Sequence, residues 1–94
     1  MNNFSLDGEV VYLEKIRFTP AGLAVLRLRI KHTSRQIEAS LNKIVNLEIE
    51  SVVIGELTQE ILTVGYKYLF CGFIEKKSLK SNHNIFHITQ IKKI

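Results

Sequence analysis

From Leu23 to His32 the side chains alternate, with Ala24, Leu26, Leu28, Ile30 and His32 on one face and Val25, Arg27, Arg29 and Lys31 on the other. This period of two predicts a half-buried strand, and its outer face is basic. The same test predicts a strand from Ile44 to Ile54, where Val45, Leu47, Ile49 and Val53 alternate with Asn46, Glu48, Glu50 and Val52. Before these lies Phe4 to Phe18, read as one long first strand with Phe4, Leu6, Val10 and Tyr12 in one register. Gly8 falls inside it, where a glycine marks a bulge or sharp bend. A fourth strand runs from Val64 to Ile74, with Tyr68, Phe70 and Ile74 turned inward and Lys67, Leu69, Cys71 and Phe73 outward. The outward apolar positions suit either a subunit interface or cover by a neighbouring segment. A fifth strand covers Ile85 to Ile91.

The connections have their own chemistry. Thr19-Pro20-Ala21-Gly22 is a reversing turn, in which Pro20 presets φ and Gly22 provides a permissive backbone. Thr33 to Lys43 is polar and separates the second strand from the third. Gly55 to Thr63 allows about two turns of helix, with Leu57, Ile61 and Leu62 able to share a face. Glu75 to Asn84 is a polar loop carrying Lys76, Lys77 and Lys80. Five strands within one domain, residues 1–94, with a short helical segment between the third and fourth, give the element order of an all-β, five-stranded Greek-key barrel of the OB type. An SH3-like barrel is the alternative. The long first strand, its glycine and the position of the helical segment favour the OB reading.

Composition narrows the function. Hydrophobic residues make up 46% of the chain, enough for a packed core. The single cysteine, Cys71, excludes an internal disulfide and a cysteine-based zinc site, and suits a reducing, cytoplasmic setting. The N-terminus has neither a basic n-region nor an apolar h-region, and no apolar run approaches the ~18 residues of a membrane helix, so no export signal or membrane span is expected. No cofactor is expected and no catalytic constellation stands out. His83 and His87 bracket a strand start without a third ligand, Cys71 has no base beside it, and there is no phosphate-binding glycine loop.

The formal charge of +4 becomes informative through its placement. Lys15 and Arg17 end the first strand, Arg27, Arg29 and Lys31 line the second, and Lys76, Lys77 and Lys80 crowd one loop. In an OB barrel these three groups converge on one groove, where single strands bind. Against this, Glu48 and Glu50 can pair across the ladder with Arg27 and Arg29 and cancel much of the field. Phe18, Tyr12 and Phe86 are the candidates for stacking on bases, although a phenylalanine in a small barrel is more often core. With no tryptophan, binding leans on phosphate contacts. Four to six of them give a log–log salt slope of roughly −3 to −4 on single strands. The expected partner is therefore a single-stranded nucleic acid, with a protein-interaction adaptor docking an acidic partner as the alternative.

The order Leu6-x-Gly8, Arg17-Phe18-Thr19-Pro20-Ala21-Gly22, Leu28-x-Ile30-Lys31-His32-x-Ser34-x-Gln36, Gly55, Val64-Gly65, Gly72-Phe73-Ile74 and Ile88-Thr89-Gln90-Ile91 resembles the primosomal replication protein N (PriB) family over nearly the whole chain. The resemblance implies a homodimeric OB-fold protein, not an enzyme. Such a protein binds single-stranded DNA, stabilises the primosomal helicase during restart of stalled replication forks and hands on to a helicase-loading factor. By position, Arg17 matches a phosphate-contacting site before the turn, and Lys76, Lys77 and Lys80 match a basic loop that contacts DNA and helicase. Asn46 stands where some members carry a stacking tryptophan, and Thr33 where some carry arginine.

Overall fold

The computed structural model describes residues 1–94. Its strands are β1 (Phe4–Leu13), β2 (Arg17–Phe18), β3 (Ala24–Glu38), β4 (Leu41–Ile54), β5 (Lys67–Lys76) and β6 (Asn84–Lys93), with a 3-10 turn at Gly55–Gln59 between β4 and β5. The sheet order is β1-β5-β6-β4-β3-β2, and β1 also pairs with β3, so five long strands close into a barrel. Closure depends on β1 serving two partners. Its first half pairs antiparallel with β5, from Phe4↔Gly72 to Glu9↔Lys67, and its second half with β3, from Glu9↔Lys31 to Leu13↔Leu28. The parallel β4–β6 pairing, Ser51↔Phe86 to Val53↔Ile88, completes the Greek-key path. This is the OB architecture.

The core follows the predicted alternation. Leu26, Leu28, Ile30, Val53, Tyr68, Phe70, Phe86 and Ile88 are buried together with Val10 and Leu62. Two glycines mark where backbones cross too closely for a side chain. A Cβ on Gly8 would press on Ile30 Cγ2 and lie 2.8 Å from the Lys31 carbonyl oxygen, and one on Gly72 would run into the His87 carbonyl oxygen. At the first hairpin, Gly22 N–H donates to Thr19 O (2.8 Å), Leu23 N–H donates to Thr19 Oγ1 (3.1 Å), and Gly22 has φ +85°. This is the three-residue loop that Pro20 and Gly22 encode.

Four sequence expectations need correction. The first strand is not continuous to Phe18: β1 ends at Leu13, and a register shift between Val10 and Tyr12 exchanges its faces. Leu13 consequently packs on the core, while Tyr12, grouped by the sequence in one register with Val10, is exposed where Val10 is buried. Thr33 to Lys43 is not a separating loop. β3 and β4 run on as one uninterrupted ladder from Val25↔Ile54 to Glu38↔Leu41, forming a hairpin arm that stretches the molecule to 50 Å in its longest dimension. The reversal falls on Ala39 (φ 52°) and Ser40 (φ 65°). Both central residues of such a two-residue loop need positive φ, normally signalled by Asn or Gly, so the turn was invisible in sequence. The helical segment is a single 3-10 turn, held by Thr58 Oγ1 donating to Gly55 O (2.7 Å). It ends in extended backbone at Glu60, which sends Ile61 into solvent while Leu57 and Leu62 pack inward.

A polar network fixes the base of the arm. His32, which is buried, places Nδ1 2.6 Å from the Asp7 carbonyl oxygen and 3.1 Å from Asp7 Oδ1. Its Nε2 lies 2.8 Å from Ser34 Oγ, which also accepts from Gln36 Nε2 at 3.1 Å. The Lys-His-x-Ser-x-Gln spacing thus places three polar side chains on the inner face of β3, tied to β1.

Candidate nucleic-acid interface

The outer face of the β3–β4 ladder carries Arg27, Arg29, Lys31, Thr33 and Arg35 opposite Val52, Glu50, Glu48, Asn46 and Ile44. β2 adds to it, since Arg17 pairs with Val25, two residues from Arg27 on the same face. Phe18 pairs with Ala24 and so lies on the reverse side of β2 from Arg17, and the residue is 71% exposed. Tyr12 stands opposite Arg29 on the other flank.

The loop between β5 and β6 reaches this face through one residue. Lys77 N–H donates to the His83 carbonyl oxygen (2.9 Å), closing the loop, while Lys77 Nζ is 3.1 Å from Glu50 Oε2. Lys77, Arg27, Arg29, Glu50, Tyr12 and Glu14 together line a recess of about 80 Å3. Lys76 turns back on its own loop, with Nζ 3.5 Å from the Leu79 carbonyl oxygen, and Lys80 is exposed at the loop tip without an ion pair. Lys31 borders a different, polar hollow with Asp7, Glu9, Thr33 and Lys67. Lys15 is exposed between β1 and β2 and makes no side-chain bond.

Strand residues and loop residues therefore do meet, through Arg27, Arg29 and Lys77. The carboxylates offset part of this charge, although not with every partner the sequence suggested. Glu50 does face Arg29, but Glu48 faces Lys31 rather than an arginine, and the ion pair that Glu50 forms is with Lys77. Lys31 has a carboxylate residue on each neighbouring strand, Glu9 and Glu48. The face is a row of cations interleaved with acids, in which Arg27 is flanked on β4 by apolar Val52.

Two features escaped the sequence reading. Arg35 extends the cationic row onto the arm, beside exposed Ile37 and Ile44. The alternation that would have revealed it continues past His32 but is carried by polar residues. Phe73 and His87 form the second feature. Phe73 is outward as expected, and its ring stacks on the His87 imidazole with centroids 4.8 Å apart and 7° between planes. Phe86, by contrast, is core.

A closed barrel with a basic outer face and a lysine-bearing loop folded onto it defines an OB-type binding protein, and comparison with known proteins agrees. Residues 2–90 match the model of a family described as another single-strand binding protein family. A protein named Replication restart protein PriB from Nitrosomonas europaea is 32% identical over 89 residues, covering 93% of this chain and 82% of that protein. Its namesake from Neisseria meningitidis is 34% identical over 92 residues, covering 97% and 92%. The crystal structure of priB from Ralstonia solanacearum superposes with a TM-score of 0.86 at 24% identity, covering 100% of this chain and 99% of that one. The single-stranded DNA binding protein of Thermus aquaticus shares the fold, with a TM-score of 0.79 at 19% identity over half of its length. The chain belongs to the PriB family of single-strand binding proteins.

Proposed function

We propose that this protein binds single-stranded DNA as an accessory of replication restart. The observation that carries the reading is the gathering of Arg27, Arg29 and Lys77 beside the exposed ring of Tyr12, in a chain about one-third identical to replication restart proteins. Guanidinium and ammonium groups neutralise phosphates, and an exposed ring offers a base a stacking surface. Arg17 and Arg35 extend the row at either end, and Lys76 and Lys80 supply further positive charge from the loop. In this reading Lys15, Lys31 and Phe18 contribute at the margins. The protein acts as a homodimer, steadies the primosomal helicase on DNA and passes the complex to a helicase-loading factor.

The interleaved acids Glu48, Glu50 and Glu9 favour a second reading, in which the surface is an adaptor for proteins and contact with DNA is incidental. Fluorescence anisotropy of a labelled oligothymidylate, titrated at low and moderate salt, separates the two. Binding that weakens with a log–log slope of roughly −3 to −4 supports the first, and absence of binding at low salt removes it. Light scattering tests the dimer.

A further inference from the structure

The cationic row continues around the barrel into an aromatic recess. Arg27 on β3 stands opposite Val52 on β4, Val52 opposite His87 on β6, and His87 opposite Phe73 on β5. At about 4.8 Å between neighbouring strands, the His87 ring lies roughly 10 Å from the Arg27 position. Next to this row is a recess of about 250 Å3, walled by Val52, Ile54 and Leu57 and by the stacked Phe73–His87 pair, with Thr89 on its rim. The imidazole is held in place by Glu75, whose Oε2 is 3.3 Å from His87 Nε2.

We infer that this recess is a nucleobase subsite, taking one unstacked base of a single strand whose phosphates lie on Arg27 and Lys77. The inference rests on the single-strand reading above and extends it to residues outside the cationic face. An apolar slot with an ordered aromatic wall and few polar groups suits a planar heteroaromatic ring. A base turned in here packs against Val52 and the aromatic pair; the Thr89 hydroxyl, which donates to the Cys71 carbonyl oxygen (3.4 Å), can still accept a hydrogen bond, and His87 keeps Nδ1 free while Nε2 faces Glu75. Continuity with the cations selects a nucleic acid over an apolar protein side chain, because the same ligand satisfies both features.

The chain contains no tryptophan, so Phe73→Trp introduces a unique reporter. Adding oligothymidylate should quench the indole emission, saturating at the concentration where anisotropy of the labelled oligonucleotide saturates. Rising anisotropy with unchanged emission means that DNA binds elsewhere, and overturns the subsite while leaving the single-strand reading intact. No anisotropy change in the unaltered protein overturns both. Phe73→Leu keeps apolar volume and removes the ring. It should weaken binding about fivefold or more while leaving the salt slope unchanged, since no phosphate contact is lost. Unaltered affinity leaves the recess to a protein side chain and overturns the assignment.

Discussion

Lys77 Nζ lies 3.1 Å from one carboxylate oxygen of Glu50 and 3.3 Å from the other, joining a loop to a strand 27 residues earlier. Both side chains are partly solvated, so the pair adds less than about 1 kcal/mol to stability. Its importance is positional. The carboxylate occupies a place on the cationic face that a phosphate would take, and a bound strand must compete with Glu50 for Lys77.

Glu50→Gln should therefore strengthen single-strand binding, by about three- to tenfold at low ionic strength, with the gain shrinking as salt screens the charges. Anisotropy titrations at two salt concentrations measure this. Equal or weaker affinity would mean that Lys77 needs Glu50 to hold it in place.

Replacing Lys76, Lys77 and Lys80 together with Ala should weaken binding and flatten the log–log salt slope by about 2, the value for three lost phosphate contacts on a single strand. Replacing Lys77 alone should give more than a third of the affinity loss, because it alone of the three reaches Arg27 and Arg29. A slope unchanged by the triple substitution takes the loop out of the site.

Gly72→Ala places a methyl group against the His87 carbonyl oxygen, where β5 and β6 shift register. The backbone must move to admit it. A loss of about 2 kcal/mol or more is expected in urea unfolding, the range of overpacked or strained core sites. The same substitution at Gly22, where a Cβ has open space but φ is +85°, should cost only about 1–2 kcal/mol.

His32→Leu keeps the buried volume but leaves Asp7 and Ser34 without their shared partner. A cost of about 1–3 kcal/mol in unfolding free energy follows from the two hydrogen bonds that the imidazole makes. Ser34→Ala should cost less, near 1 kcal/mol, since His32 retains Asp7. Equal stability of the unaltered protein and His32→Leu would show that the network does not hold the base of the arm.

The barrel was legible where side chains carried strong alternation. Leu26, Leu28 and Ile30 against Arg27, Arg29 and Lys31 fixed β3 and its two faces before any coordinates, and Thr19 to Gly22 fixed the hairpin. Reading failed where backbone geometry acted without a residue signature. The shift at Val10/Tyr12 turned Tyr12 outward into the candidate site, and the Ala39–Ser40 reversal hid half of the longest hairpin. The Phe73–His87 stack escaped for another reason. Its partners are 14 positions apart and meet only because β5 and β6 pair with Gly72 opposite Ile88.

The arm has a mechanical consequence. Six rungs of the β3–β4 ladder, Thr33↔Asn46 to Glu38↔Leu41, lie beyond the His32 anchor. At about 3.4 Å per residue they carry the tip roughly 20 Å outward. No bulge interrupts these rungs, so the projection is a regular two-stranded ladder whose orientation is set at its root, where His32 is tied to Asp7 and Ser34. A root rotation of about 5°, small against the natural twist between strands, displaces the tip by nearly 2 Å. Arg35, on the arm, would shift with such a rotation relative to Arg27 and Arg29, which lie on the barrel side of His32, so the reach of the cationic row depends on how firmly the root is tied.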